Sequence, residues 1–146
     1  MALLHDTSTR ASIENRIRAL TPNSRPTWGK MSVDQMLWHV NQALDISLGR
    51  VSVGPERPKL PPWLLRLMVV NLPWPKGAPT HPDLVPKQQF NFDAERERLL
   101  EIINEITAKP MDDAWPRHPG FGHMSGRQVS TLTHKHLNHH LTQFGV

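Results

Sequence analysis

The sequence predicts an all-α protein, a four-helix bundle with long proline-rich connections. Three observations carry this prediction. Apolar residues recur at helical spacing along four segments, no stretch alternates polar and apolar residues for long enough to form a convincing strand, and the 14 prolines of the 146-residue chain cluster between the helical segments. Because a chain of this length is about the size of one domain, residues 1–146 are expected to fold as a single bundle domain.

The first two helices are predicted from their apolar periodicity and from residues that begin or end helices. The first runs from about Thr9 to Leu20, and the two prolines of segment 21–26 end it. The second begins after Ser32, because Gln35 stands three residues later and completes a capping-box pattern. Its apolar face continues to Gly49, a residue type that commonly ends helices.

The middle of the chain is predicted to contain one short helix between two connections. Residues 51–62 carry glycine and proline and form the first connection. The apolar stretch Trp63–Val70 follows a pair of prolines, which favours the start of a short helix. Residues 71–87 contain five prolines and are predicted to form a long loop, a feature that often covers a functional site in small domains.

The last two main helices have clear apolar faces. One starts at about residue 91 or 93 and ends at Ala108. The other begins after Ser125, with Gln128 three residues later as a second capping box, and continues to Phe144. This closing helix contains four of the nine histidines, and two of these are candidate metal-binding residues considered below.

The composition excludes several classes of protein. With no cysteine, the chain has no disulfide scaffold, no cysteine-based metal site and no thiol nucleophile. Its net charge is +4, but the basic residues are dispersed, so nucleic acid is not an expected partner. The longest apolar stretch, Trp63–Val70, is too short to span a membrane. Met1–Arg10 lacks the apolar region of a signal peptide, which predicts a cytoplasmic protein.

Histidine is the residue type in excess, with nine in the chain and four in the last 13 residues. His136 and His140 stand four apart, which places them about 40° apart around the helix axis and about 6 Å along it. Val129, Leu132 and Phe144 lie near the same face, so this face is expected to turn inward. Two neutral imidazoles suit zinc, nickel, copper or iron(II), with zinc or nickel favoured here.

A third ligand is expected from another helix, and His39 is the best candidate because it lies near the core side of the second helix. Three imidazoles with an open position are typical of catalytic rather than structural sites. A divalent ion there would activate water or a thiol by lowering its pKa. A pair of histidines is also compatible with hydrogen bonding in the core, and spacing alone leaves both interpretations open.

The remaining histidines are interpreted as supporting or surface residues. His134 and His139 lie off the inward face and are expected to be exposed or to contact the ligands from outside. His5, His81 and His123 are expected on loop surfaces. The His-Glu-x-x-His pattern of zinc proteases is absent, because no glutamate lies between the two helical histidines.

The sequence offers no strong general base, since Asp34 and Asp45 are expected to point away from His39. The catalytic group is therefore unknown, apart from water or a thiol activated by the ion. Indoles next to the loops are candidates to line an apolar pocket, although core packing is the commoner role. Four basic residues are candidates to bind an anionic group of a substrate, although each is more typically a surface charge: Lys76, Lys87, Arg117 and Arg127.

Three motifs resemble the DinB/YfiT-like superfamily. The pattern His136-x-x-His139-His140-x-x-Gln143 is similar to the closing helix of that superfamily. The segment from Trp28 to His39 resembles its second-helix motif, and the segment His118–Ser125 before the closing helix resembles a bacterial DinB-like subfamily of unknown function. Together the resemblance extends from residue 16 to residue 145.

The resemblance implies a four-helix bundle in which three histidines hold a divalent metal. Carried over by position, the ligands are His39, His136 and His140, and Gln143 either bonds a ligand imidazole or stabilises the helix end. The superfamily includes thiol-dependent S-transferases, a maleylpyruvate isomerase and proteins described as metal-dependent hydrolases. The implied partners are a small-molecule substrate, including a low-molecular-weight thiol, and a second copy of the chain in a homodimer.

Three functions follow as hypotheses. The first is an enzyme of hydrolase or S-transferase type with a stoichiometric metal and an open coordination position. The second is a non-catalytic bundle that binds a metal or small ligand within a closed site. The third is an interaction domain whose histidines only form hydrogen bonds in the core. The motif order and helical spacing disfavour the third, and the resemblance favours the first.

Overall fold

The computed structural model describes residues 1–55 and 59–146. Within these residues the chain is all-helical, with five α-helices and no β-strand. The helices are α1 (Thr7–Ala19), α2 (Val33–Ser47), α3 (Pro62–Asn71), α4 (Phe92–Ala108) and α5 (Gly126–Gln143), and a short 3₁₀ turn lies at Pro82–Leu84. None of the described helices is both long and apolar enough to cross a membrane.

The helix boundaries agree with the sequence prediction to within two residues. The closing helix begins with the expected capping box: Ser125 Oγ accepts from the Gln128 backbone N–H at 3.2 Å, and Gln128 Oε1 accepts from the Ser125 N–H at 3.0 Å. The first helix begins two residues earlier than predicted, at Thr7, and Asp6 rather than Thr9 precedes it. Aspartate is a preferred residue before a helix, but the Asp6 side chain makes no capping hydrogen bond here.

The core lies among α1, α2, α4 and α5, because each of these helices contributes a stripe of apolar side chains to it. Helix α2 packs along α4 and also against α5, while α1 packs against α4 and α5. The largest fully buried side chains are Leu4, Ile13, Ile17, Leu20, Met36, Leu37, Leu44, Leu99, Ile102, Ile103, Ile106 and Leu137. This arrangement brings the middle of α2 against the second half of α5.

The short helix α3 lies outside this core and packs on α5. It leaves apolar side chains in solvent, with Trp63 59% exposed and Leu67 54% exposed. The predicted connection 51–62 includes residues 56–58, which lie outside the described residues. An exposed apolar helix is compatible with the expected homodimer, and that pairing stays a prediction.

Helix α2 buries polar side chains on two sides. On the side of α5 it presents His39, which is 4% exposed. On the side of α4 it presents Asn41, whose Nδ2 donates to Glu95 Oε2 at 2.7 Å, and Asp45, which pairs with Arg98 at 2.7 Å. Residues two apart on a helix point in nearly opposite directions, so α2 presents His39 toward α5 and Asn41 toward α4.

The N-terminal segment is held by a histidine that was expected on the surface. His5 is half-buried, with Nδ1 2.9 Å from Ser130 Oγ and Nε2 3.0 Å from the Lys109 carbonyl oxygen. These two contacts connect the segment to α5 and to the end of α4. The loop prediction for His5 was therefore wrong about exposure, because tertiary contacts cover it.

Candidate metal centre

Three imidazoles meet between α2 and α5. His39, His136 and His140 each offer one ring nitrogen, and these nitrogens all lie within 4.8 Å of one another. His39 Nε2 is 3.2 Å from His136 Nε2. His39 and His140 are buried, whereas His136 is partly exposed and marks the open side of the cluster.

The cluster depends on both helical spacing and helix packing. The separation of four residues stacks His136 and His140 on one face of α5, with ring centroids 4.9 Å apart. The His39 ring lies 5.2 Å from the His136 ring and 4.9 Å from the His140 ring, in each case nearly edge-on. The contact between α2 and α5 therefore supplies the third imidazole, which α5 alone does not provide.

A backbone carbonyl fixes the protonation site of His39. Its Nδ1 lies 2.8 Å from the Leu84 carbonyl oxygen, which only accepts, so Nδ1 carries the proton and donates it. The lone pair of Nε2 then faces the other two imidazoles. The carbonyl belongs to the 3₁₀ turn Pro82–Leu84, which begins where His81 Nδ1 accepts from the Asp83 backbone N–H at 3.1 Å.

A glutamine side chain fixes His140 in the same way. Gln143 Nε2 donates to the Trp28 carbonyl oxygen at 2.9 Å, so Gln143 Oε1 faces His140 Nδ1, at 2.7 Å, and accepts its proton. Nε2 of His140 is left for the cluster. The approach of Gln143 depends on Gly29, which has φ +82° and where a Cβ atom would lie 2.6 Å from Gln143 Nε2.

The three imidazoles are neutral near physiological pH. Burial lowers the pKa of His140 to about 3 and lowers the pKa of His39 below its ordinary value. Dense packing around His136 lowers its pKa well below 6.5, and the neighbouring imidazoles lower it further. Neutral rings offer lone pairs, which is the form that binds metal ions.

Two indoles and a fourth imidazole stand beside the open side. The Trp74 ring lies 5.4 Å from the His136 ring and 5.7 Å from the His139 ring. The Trp28 ring lies 5.8 Å from the same His139 ring. Trp74 is anchored because its Nε1 donates to the Val69 carbonyl oxygen at 2.9 Å.

Helix α5 also holds the loop that carries Trp74. The Lys135 ammonium donates to three carbonyl oxygens at the end of α3, those of Val69 (2.8 Å), Val70 (3.0 Å) and Leu72 (2.6 Å). A cation at the carbonyl end of a helix is favourable. Lys135 directly precedes His136 in the chain, so the same helix positions the cluster and the loop beside it.

A comparison with protein families identifies the chain. The family model described as the DinB superfamily matches residues 6–144. The chain belongs to the DinB superfamily. The comparisons with curated proteins and with solved structures find no match.

In this DinB-superfamily chain, the donor set fits a divalent transition metal. Tetrahedral zinc with Zn–N bonds of about 2.0–2.1 Å separates its nitrogen ligands by about 3.3 Å. The 3.2 Å between His39 Nε2 and His136 Nε2 is close to that separation. Two of the imidazoles have their outer nitrogens hydrogen-bonded to protein oxygens, which is the usual support of metal-binding histidines.

The structure brings together all three histidines that the sequence singled out. Gln143 bonds the His140 imidazole, and its own carbonyl oxygen accepts from the Thr27 backbone N–H at 2.8 Å, so both roles expected of it are present. Asp34 and Asp45 point elsewhere, as predicted: Asp34 Oδ2 accepts from the Phe90 backbone N–H, and Asp45 pairs with Arg98. Among the described residues, no carboxylate joins the cluster.

Two supporting groups were missed by the sequence analysis. The Leu84 carbonyl has no signal in the sequence, because any residue supplies a backbone oxygen. Gly29 did carry a signal: it lies in the Trp28–Ser32 segment that resembles the family motif, and a glycine with positive φ is common where chain segments approach closely. Lys87, Arg117 and Arg127 are absent from the contacts that surround the three histidines.

Proposed function

We propose that this chain is a DinB-type four-helix bundle domain that holds one zinc or nickel ion through His39, His136 and His140. The observation that best supports this proposal is that His39 and His140 each donate from Nδ1 to a protein oxygen and direct Nε2 into the same cluster. Hydrogen bonding in the core needs no such convergence of lone pairs. The membership in the DinB superfamily supports the same assignment.

We further propose that the site belongs to an enzyme of hydrolase or S-transferase type. A divalent ion supplies one effect when bound: it lowers the pKa of a water or low-molecular-weight thiol toward neutrality. The chain itself orients the ligands, since Leu84 and Gln143 hold the protons of His39 and His140 on the outer nitrogens. Trp74 borders the partly exposed His136 and restricts the access of bulk water.

The partly exposed face of His136 favours this function over a closed metal store. A closed site would bury all three histidines, whereas here only His39 and His140 are buried and the residue His136 is partly exposed. A small-molecule substrate is the expected partner on that side. The absence of a carboxylate from the cluster, within the described residues, assigns the activation of the nucleophile to the ion.

The first test is metal content. Tag-free protein is expected to contain about one zinc or nickel ion per chain, and His136→Ala is expected to lose it. The matched control is His134→Ala, which removes a histidine from the same helix but outside the cluster. Metal in neither protein, even after zinc or nickel is added back, would overturn the metal site and leave the histidines as core hydrogen-bonding groups.

A second readout separates the enzyme from a closed binding site. The cobalt(II)-loaded protein is expected to gain thiolate-to-cobalt absorption when 2-mercaptoethanol is added, because an open coordination position admits the thiolate. An unchanged cobalt spectrum with thiol, acetate and azide would show a filled coordination sphere. That result would favour the non-catalytic binding bundle over the enzyme.

A further inference from the structure

The open side of the centre carries a continuous polar and aromatic surface, here called the indole rim and defined as Trp28, Trp74, Lys76 and His139. The His139 ring lies 5.8 Å from the Trp28 ring and 5.7 Å from the Trp74 ring, so it connects the two indoles. Trp74 in turn contacts the His136 ring at 5.4 Å. The rim therefore begins at a cluster histidine and extends outward into solvent.

Lys76 places a positive charge on this rim. Its ammonium lies 4.8 Å from the centre of the Trp28 ring, in a cation–π arrangement. In the described part of the chain, no ion pair includes Lys76. Lys109 sits over Trp115 in a similar way, at 5.3 Å, but its ammonium is also 4.0 Å from Asp113. The two lysines thus differ in whether a carboxylate stands beside them.

The chain segments that form the rim contain no acidic residue. Segments 15–33, 57–82 and 114–146 contain no aspartate or glutamate, and they carry the whole rim and two of the three cluster histidines. Five of the 13 acidic residues lie on α4, on the other side of α2. A cationic ligand would find no carboxylate in these segments, whereas an anionic one meets Lys76 and no repulsion from an acidic side chain.

The centre adds to this preference once an ion is bound. Neutral imidazole ligands do not offset the charge of a divalent ion, and no carboxylate joins the cluster within the described residues. The open side therefore combines positive charge with two flat apolar rings. Indoles bind planar groups well, because they bury a large area at a small cost in side-chain entropy.

We propose that the indole rim binds the substrate and that this substrate is an organic anion with a planar apolar part. The planar part lies against Trp28 and Trp74, and the anionic group lies within reach of the Lys76 ammonium. This inference rests on the proposed function, because it assigns a substrate class to the same site. It involves binding only, and it applies to the metal-free and the metal-loaded chain.

The test is calorimetric titration with three probes that separate charge from shape. The first probe is 2-naphthoate, which has both the ring and the charge; 2-naphthamide has the ring alone, and acetate has the charge alone. The metal-free protein is expected to bind 2-naphthoate more tightly than either of the others. The zinc-loaded protein is expected to bind it more tightly still, because the ion adds positive charge.

A substitution at Lys76 tests whether its positive charge binds the anionic group of the ligand. Lys76→Gln is expected to weaken 2-naphthoate binding by about three- to fivefold, the size of one solvent-exposed charge pair, and to leave 2-naphthamide binding unchanged. Lys76→Arg is expected to retain the preference for the anion. The matched control is Lys109→Gln, which removes a lysine that sits over an indole outside the rim, Trp115, and is expected to change neither affinity.

Equal affinity for 2-naphthoate and 2-naphthamide in the metal-free protein would overturn the proposal, and so would an unchanged 2-naphthoate affinity in Lys76→Gln. Either result leaves the metal site untouched, since metal content is measured separately. Loss of the metal site with the Lys76 effect intact would instead remove the proposed function and keep the anion-binding rim. The two failures are therefore distinguishable.

Discussion

Helix α2 buries polar groups on two sides, and the two sides differ in how their charges are balanced. Toward α4, Asp45 binds Arg98 at 2.7 Å, and the Asn41 amide donates to Glu95 at 2.7 Å, so acceptors meet donors. Toward α5, His39 meets two further imidazoles without a counter-charge, and one ring nitrogen of each lies within 4.8 Å of the others.

The difference separates a structural polar cluster from the proposed metal site. Buried polar groups cost free energy unless they are paired. On the α4 side the protein's own side chains pair Asp45 with Arg98 and the Asn41 amide N–H with Glu95, although Asn41 Oδ1 finds no hydrogen-bond donor among the described residues. On the α5 side, Leu84 and Gln143 satisfy the outer nitrogens only. The inner nitrogens are suited to a shared cation, and a group that accepts three lone pairs at once is a metal ion.

The largest expected effect distinguishes the two sides directly. His39→Ala is expected to abolish stoichiometric zinc binding, because two imidazoles on α5 do not complete the site. Asn41→Ala, two residues away on the same helix, is expected to keep one zinc per chain and to lower the free energy of unfolding by about 1–2 kcal/mol. Elemental analysis and urea denaturation measure the two quantities. Loss of zinc in both variants would contradict this prediction, since it would mean that both sides of α2 support the metal.

A smaller effect is expected from the support of His140. Gln143→Met removes the acceptor of the His140 proton and is expected to weaken zinc affinity by about 10- to 100-fold, as loss of such supports typically does. Competition with a chromophoric chelator measures the affinity. Gln128→Met removes a glutamine from the cap of the same helix and is expected to lower stability without changing zinc affinity.

Gly29→Ala provides an independent check of that interpretation. A Cβ atom at this position would lie 2.6 Å from Gln143 Nε2, so the substitution displaces the Gln143 side chain without removing it. Zinc affinity is expected to fall in the same direction as in Gln143→Met. Wild-type affinity in both variants would show that His140 is positioned by packing alone.

The smallest expected effect is on the pH dependence of the metal-free chain. The folded protein keeps His140 neutral because burial lowers its pKa to about 3, whereas the unfolded chain takes up a proton below about pH 6.5. Unfolding therefore binds a proton between these values, and stability falls as pH is lowered. At pH 5 this histidine alone is expected to reduce the free energy of unfolding by roughly 2 kcal/mol relative to pH 7.

The measurement is urea denaturation at pH 7, 6 and 5 after metal removal. His39 and His136 add to the slope with the same sign, because burial also lowers their pKa values. His140→Gln is expected to reduce the dependence of the unfolding free energy on pH by the contribution of about one proton. The control is Asp45→Asn on the α4 side, which keeps all the cluster histidines and is expected to retain their contribution to the pH dependence of stability.

Much of the fold was predictable from local patterns. The capping box at Ser125 and Gln128 and the apolar stripes predicted α2, α4 and α5 within two residues, because capping and periodicity act between residues close in the chain. The start of α1 lies two residues before the predicted Thr9, because Asp6 rather than a later residue precedes the helix. The exposure of Trp63 and the partial burial of His5 were not predictable, because each depends on which surface a distant segment covers.

The sequence by itself determined that His136 and His140 share one face of a helix, because a separation of four residues matches the helical repeat. His39 was the best candidate for a third ligand because it lies near the core side of the second helix, and the family resemblance implied the same residue, although no local rule connects it to a residue 97 positions later. The tertiary structure alone shows that α2 packs against α5 so that His39 lies beside His136 and His140. It also shows that the Leu84 carbonyl and Gln143 hold protons on the outer nitrogens of His39 and His140. Lys76 and two indoles border the open side of the cluster. These features depend on the burial of apolar faces across the whole chain, which is a long-range property that periodicity does not encode.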